Sequence, residues 1–207
     1  MKRVSPAVAR NSQPIAEVLD KELPKSGLVL EIASGTGEHA VFMAHRFASI
    51  RWQPTDPDLE ALTSAAAWAK EQGLPNLLEP LQLDARMSNW PVKAADALVC
   101  INMIHISPWE ATLGLFRGAA DTLQDGEPLI LYGPFLEEHV ETALSNLAFD
   151  ADLKRRSAEW GIRRLGAVDV VAKATDFERT ARYQMPANNL MIVYRKNSNH
   201  KNKTPAG

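Results

Sequence analysis

Leu28-Val29-Leu30-Glu31-Ile32-Ala33-Ser34-Gly35-Thr36-Gly37-Glu38-His39 is the stretch from which the rest of the chain can be read. Its opening is a short apolar run broken only by Glu31, the pattern of a strand covered on both faces of a sheet. Gly35 and Gly37 then let the backbone turn tightly and come close to a ligand. Ala40, Val41, Met43, Ala44 and Phe47 follow at helical spacing. A strand, a glycine turn and a helix in that order open a strand-helix-strand unit, and in parallel sheets ligands bind outside the carboxyl ends of the strands where the strand order reverses. The third glycine of a dinucleotide fingerprint would fall on Ala40, and spacing alone does not exclude it. The carboxylate inside the strand is the distinguishing feature.

Outward from this unit, apolar runs keep alternating with helical patterns, which predicts a parallel sheet flanked by helices. Strands are expected at residues 50–55, 77–83, 96–101 and 128–132. Asp56-Pro57 suits a helix start, and that helix runs to a cap at Gly73. Ser107-Pro108-Trp109-Glu110 reads as a capping box with proline at the first helical position. After Tyr132 the pattern loosens, with helices near 147–158 and 166–175 and two extended runs at 178–185 and 190–196. Pro186-Ala187-Asn188-Asn189 between those runs is too short for a parallel crossover and long enough for an antiparallel hairpin. Before the first strand, Ser12-Gln13-Pro14 begins a helix with Ile15, Val18, Leu19 and Leu23 on one stripe. The segment ahead of it, with Arg10 and Asn11, either covers the sheet or folds across a ligand site.

Bulk properties narrow the class. The 207 residues, 45% apolar and 23% charged with a formal net charge of −2, describe one folded domain over 1–196 and a polar tail over 197–207 expected to be disordered. The balance argues against a strongly basic nucleic-acid binder. No apolar run approaches the about 20 residues that span a bilayer, and Met1-Lys2-Arg3-Val4-Ser5-Pro6 has no apolar signal core, so a cytoplasmic protein is expected. Cys100 is the single cysteine, which excludes an internal disulfide and a cysteine metal cluster, and no metal site is expected.

Glu31 with Gly35 and Gly37 resembles the first motif of class I S-adenosylmethionine-dependent methyltransferases, with Ala33 in place of a frequent glycine. Two further acidic positions match: Asp56, after the second strand, where a carboxylate suits the ribose hydroxyls, and Asp84, after the third, near the adenine. Each has a plainer role open to it, Asp56 as a helix cap and Asp84 as a turn residue. Within that class, Ser5-Pro6-Ala7 with Arg10-Asn11, Trp52-Gln53-Pro54, Asn102-Met103-Ile104-His105-Ile106-Ser107-Pro108-Trp109, Tyr132-Gly133-Pro134-Phe135, Ser145-Asn146 with Phe149-Asp150, Trp160-Gly161-Ile162-Arg163 and Met185-Pro186-Ala187-Asn188-Asn189 look like the methyltransferase-like 26 family, from about Ser5 to Arg195. The resemblance implies an α/β, Rossmann-like class I methyltransferase fold: a seven-stranded, mostly parallel sheet with a C-terminal antiparallel hairpin. It implies S-adenosylmethionine as cofactor, held by Glu31, Gly35, Gly37, Asp56, Asp84 and Asn102, with Arg10 a candidate for the methionine carboxylate.

The methyl acceptor is expected to be a small molecule, chosen by the loops of the core fold and the segment before the first strand. His105, after the fourth strand, is the first candidate base because histidine titrates near neutrality, and Tyr132 is the second. His139, Asn146 and Asp150 lie in the loose segment after the fifth strand, where such folds carry a substrate lid. Asn188 lies in the turn that borders the pocket if the strand before it is parallel to the first five, or is an ordinary turn residue, and His39 reads as a packing residue. Lys154, Arg155, Arg156, Arg163 and Arg164 interleave with acidic residues and read as a solvated helix face. Other readings stay open: a non-catalytic cofactor-binding or scaffold protein, a protein or nucleic-acid methyltransferase, or a nicotinamide-dependent oxidoreductase.

Overall fold

A computed structural model describes residues 2–198. Seven strands form one sheet in the order β3-β2-β1-β4-β5-β9-β8. The first five are β1 (Gly27–Ile32), β2 (Ile50–Asp56), β3 (Leu81–Gln82), β4 (Ala97–Ile101) and β5 (Pro128–Gly133), all parallel. β9 (Asn189–Lys196) runs antiparallel between β5 and β8 (Phe177–Met185), so β8 points the same way as the first five. Strand order reverses between β1 and β4, and their carboxyl ends define the crevice in which a doubly wound sheet binds ligands.

Alternation along each strand sorts the core into two faces. Val29, Ala97, Val99, Ile101, Ile130 and Val193 pack with Ile15, Leu19 and Met43 beneath α1 (Pro6–Glu22) and α2 (Glu38–Arg46). Leu30, Leu98, Cys100, Leu129 and Ile192 face α4 (Trp109–Thr122) and α6 (Leu165–Ala174) through Leu115, Phe116 and Val168. α3 (Leu59–Gln72) follows β2 and is capped by Asp58, whose carboxylate accepts the Glu60 backbone N–H. Asp56 therefore ends a strand and is free of the capping duty that its neighbour performs. Cys100 lies in the core and burial pushes its thiol up to about 12, as befits a small hydrophobe.

Three local expectations are corrected. The third strand is two residues long, joined only by an isolated bridge between Trp52 and Leu77, because Pro80 inside the run has no N–H to donate to a ladder. The N-terminal helix starts at Pro6, which takes the first-turn position expected of Pro14; Pro14 lies inside the helix, where the residue four back is the exposed Arg10. The capping box does not form: Pro108 is the N-cap of α4, and the Ser107 hydroxyl is buried without a partner. Beyond β5 the chain makes β6 (Phe135–Leu136), α5 (Leu144–Arg156) and β7 (Arg163–Arg164), with β6 and β7 paired in a small sheet of their own. That pair had no sequence signal. The expected tail lies mostly outside the described residues, Lys201 and Lys203 with it. Among the described residues no helix is long and apolar enough to cross a membrane.

Candidate functional site

A cavity of about 550 Å³ opens at the carboxyl ends of β1, β2 and β4, where the strand order reverses. Its floor is the turn after β1, with Ser34 and Gly35. Asp56 forms one side, Asp84 to Arg86 the next, and Asn102, Met103 and Ser107 the third. Ser5, Ala7 and Val8 close it from the N-terminal segment, and Trp160 from the segment after α5.

Two carboxylates meet behind the glycine turn. Asp56 accepts the Gly35 N–H through Oδ2 and the Asp58 N–H through Oδ1, both at 2.9 Å. Its pKa is raised, chiefly by burial, against the pull of those two N–H groups. Glu31 is 1% exposed; its Oε2 accepts the Trp52 indole N–H at 2.6 Å. Burial pushes the Glu31 carboxyl up to about 7, opposed by Trp52 and Ser34 and reinforced by the charge of Asp56. The two glycines do different things. Gly35 has φ +57 and open space where a Cβ would sit, and it lines the cavity. Gly37, at φ +86, would put a Cβ 2.5 Å from the Ala65 Cα, so it serves the packing of the turn against α3.

Asp84 lines the cavity, but its carboxylate is held by Arg86 through Nε and Nη2, which keeps its pKa low. Asn102 lines the same cavity with φ +61, its N–H bonded to the Tyr132 carbonyl at 2.8 Å. Arg10 is exposed and lies outside the lining. The N-terminal segment that does reach the cavity is fastened by the Arg3 N–H to Ser64 Oγ, the Ser5 N–H to Glu38, and the Trp68 indole to the Arg3 carbonyl.

The residues expected to act on an acceptor are dispersed. His105 is 5% exposed, on a 3-10 turn outside the cavity lining, with its ring edge-to-face on Phe149. Burial, with a further contribution from Arg163, lowers its pKa to about 4. Tyr132 is buried at the end of β5, its pKa raised by burial against the opposing influence of the Asn11 and Asn189 side chains. Asn146 donates to the Asn188 carbonyl at 3.0 Å, Asn188 to Ser145 Oγ at 3.1 Å, and Asp150 accepts the Ile162 N–H at 2.7 Å. The first two bonds fasten the segment after β5 to the hairpin, the third ties α5 to the stretch ahead of β7, and none of the three residues lines the cavity. Arg163 departs from the solvated face expected of its cluster: it reaches inward to the Ile104 and Ser107 carbonyls, joining that segment to the turn after β4.

The sequence suggests His39 as a packing residue, Asn11 as part of a segment covering the sheet or a ligand site, and Ser107 as the start of a capping box; the structure puts His39 and Ser107 in the cavity lining and Asn11 against His39. His39 is 8% exposed in the first turn of α2, lines the cavity, and bonds through Nε2 to Asn11 Oδ1 at 2.8 Å. Burial holds its pKa at about 4. Polar residues on an otherwise apolar helical stripe were the available signal.

The family model described as "Protein of unknown function (DUF938)" matches residues 2–196. Among solved structures, the chain resembles an O-methyltransferase family 2 protein from Planctomyces limnophilus in complex with apigenin: TM-score 0.76 and 19% identity over 92% of this chain and 60% of that one. It also resembles the mitomycin 7-O-methyltransferase MmcR (TM-score 0.78, 14% identity, 92% and 54%) and the PH0226 protein of Pyrococcus horikoshii (TM-score 0.73, 16% identity, 93% and 92%). The chain spans little more than half the length of those two O-methyltransferases. At these identities the likeness establishes the class I methyltransferase fold.

Proposed function

We propose that this chain, which belongs to the DUF938 family, is an S-adenosylmethionine-dependent methyltransferase acting on a small molecule. One observation carries the reading. Asp56, at the end of β2, uses two of the roughly four accepting positions of a carboxylate on backbone N–H groups, leaving about two for the vicinal hydroxyls of a ribose. Asp56 lines the cavity, as that role requires.

The remaining walls suit the rest of the cofactor. Leu83, Ala85, Met103 and Ala111 make an apolar slot for a purine, and the buried Ser107 hydroxyl offers that end a hydrogen bond that nothing among the described residues takes. Gly35, with no atom within 4 Å of where its Cβ would be, leaves room for the methionine portion. Glu31 supplies negative charge near the cationic end. With Asp84 tied to Arg86, recognition of the adenine amino group falls to what that ion pair leaves free. Arg10 is exposed and lies outside the cavity lining, away from the space that would take the methionine carboxylate.

Bound here, the cofactor would supply a methyl group on a sulfonium, transferred by in-line displacement. The chain's own contribution is to align the acceptor and exclude water. Ser5, Ala7, Val8 and Trp160 close over the cavity and serve the second purpose. The structural neighbours named O-methyltransferases favour an oxygen acceptor. The resemblance to the methyltransferase-like 26 family is part of the same proposal, as are the cytoplasmic location and the absence of nucleic-acid partners.

Titration calorimetry with S-adenosylmethionine and S-adenosylhomocysteine tests the reading: binding of both is expected, and binding of neither by folded protein overturns it. Methyl transfer from labelled cofactor into a small-molecule extract then separates an enzyme from a non-catalytic binder.

A further inference from the structure

Four polar side chains from four separate elements meet at the α1 and α2 side of the cavity. His39 Nε2 lies 2.8 Å from Asn11 Oδ1, and the side chains of Asn11 and Asn189 both act on the Tyr132 hydroxyl, opposing the rise that burial gives its pKa. Asn11 is on α1, His39 on α2, Tyr132 at the end of β5 and Asn189 at the start of β9. Asn11, His39 and Tyr132 are each less than 10% exposed, within the core face that holds Ile15, Met43, Ile101 and Met191. Polar groups buried among such residues need their hydrogen bonds met, and an apolar set could have filled the same space without that requirement.

The chain of bonds fixes how His39 meets the cavity. The Asn11 carbonyl oxygen can only accept, so His39 Nε2 carries the proton, and the Nδ1 of a neutral imidazole is then a lone pair. Asn11 favours the ionised form of Tyr132, which fits its amide N–H, and not its oxygen, facing that hydroxyl. Among the described residues no group is placed against Nδ1, and His39 lines the cavity. Ile101, which also lines it, is the register partner of Tyr132 across β4 and β5. The lone pair thus belongs to the wall nearest the ends of those two strands.

Resting on the methyltransferase reading above, we propose that His39 binds the methyl acceptor by accepting a hydrogen bond at Nδ1 from its hydroxyl, and that Asn11, Tyr132 and Asn189 are positioning residues that hold His39 in the required tautomer. The acceptor class follows. Nothing in this wall carries charge near neutral pH, since burial keeps His39 neutral and holds Tyr132 protonated. A carboxylate would meet a lone pair, and an ammonium would find no counter-charge on His39 or Tyr132, the carboxylates of Glu31 and Asp56 lying on the cofactor side of the cavity in the reading above. An uncharged hydroxyl is the group it complements. The same burial makes His39 a hydrogen-bond acceptor and a poor store for a full proton.

Two experiments test this. In a long-range proton–nitrogen NMR spectrum of ¹⁵N-histidine protein, assigned with His39→Gln, the His39 ring is expected as the neutral Nε2–H tautomer. Asn11→Ala is expected to mix the tautomers. A dominant Nδ1–H form in the unsubstituted protein overturns the proposal. In the second, single-ring aromatic probes bearing a hydroxyl, a carboxylate or an ammonium group are incubated with S-adenosylmethionine, and S-adenosylhomocysteine is measured by mass spectrometry. Turnover confined to the hydroxyl probes is expected. His39→Gln, which loses the acceptor at the Nδ1 position, is expected to raise the probe KM about tenfold or more while the cofactor KM and the Tm hold. His39→Asn, which restores an oxygen there, is expected to recover part of it. Turnover of the charged probes, of no probe, or an unmoved KM in His39→Gln overturns the proposal. Calorimetric binding of S-adenosylhomocysteine, run alongside, separates these outcomes from failure of the methyltransferase reading itself.

Discussion

Asp56 accepts the backbone N–H of Gly35 at 2.9 Å, a bond that ties the end of β2 to the turn after β1 and aims both at the cavity. The carboxylate thus braces the glycine turn and keeps accepting positions for a ligand. Asp56→Ala removes both roles. Loss of charge-assisted hydrogen bonds to a diol should weaken S-adenosylhomocysteine binding by about 1.5–3 kcal/mol, roughly ten- to a hundredfold. Asp56→Asn, which keeps one accepting oxygen, should lie between the two. Calorimetry measures both, and unchanged affinity in Asp56→Ala would remove Asp56 from the binding site.

Glu31 is expected to make binding of the proposed cofactor a proton-linked event. Its carboxyl titrates at about 7, so near pH 6.5 a large fraction of it is protonated in the ligand-free protein. A cationic ligand nearby favours the carboxylate and lowers that pKa. Binding of S-adenosylmethionine should therefore release protons between about pH 6 and 7, and the release should fade by pH 8.5, where Glu31 is already ionised. Titrations in two buffers of different ionisation enthalpy measure the proton count directly. Glu31→Gln should abolish it.

The framework was legible in the sequence because the strands that matter are buried on both faces and read as apolar runs. Residues 96–101 and 128–132 anticipate β4 and β5 almost to the residue, and the hairpin followed from the brevity of the link at 186–189. Edges and segment starts were harder. β3 is at the sheet edge and interrupted by Pro80, so an apolar run there did not guarantee a ladder. That Gly35, Asp56 and Asp84 line one cavity was readable because they lie at strand ends, where topology alone fixes their placement. The proposed acceptor wall depends on contacts across the chain, such as Asn11 with His39, 28 positions apart, and no local pattern announces them. His105, the obvious titratable residue after β4, turned out to be packed against Phe149 outside the cavity, because a 3-10 turn directs it there.

The two buried histidines set the acid limit of stability. His39 and His105 titrate at about 4 in the folded protein and at 6.5 when unperturbed, so the stability they contribute is present above pH 6.5 and lost as pH falls through 4. Glu31 acts in the opposite sense: its contribution is full below 4.5 and lost as pH rises through 7. Between pH 7.5 and 5 each histidine costs about 2 kcal/mol and Glu31 returns about 2, leaving a net loss of about 2 kcal/mol. Urea unfolding at the two pH values measures it. The double variant His39→Asn, His105→Gln retains only the Glu31 effect and should be more stable at pH 5 than at pH 7.5.

The two glycines of the turn separate folding from binding. Gly37→Ala drives a Cβ to within 2.5 Å of the Ala65 Cα and holds an alanine at φ +86, so α2 and α3 must shift. Overpacking of that kind costs about 1–3 kcal/mol, to which the left-handed backbone adds about 1–2. Gly35→Ala meets no atom within 4 Å and carries only the backbone cost. Its methyl, however, enters the space left for the methionine portion of the ligand. Gly37→Ala should accordingly lower the Tm by more than Gly35→Ala does. In the protein that remains folded at low temperature, S-adenosylhomocysteine affinity should fall tenfold or more for Gly35→Ala and far less for Gly37→Ala. If Gly35→Ala binds the ligand as tightly as the unsubstituted protein, the turn after β1 does not cradle it, and the open space at Gly35 has another use.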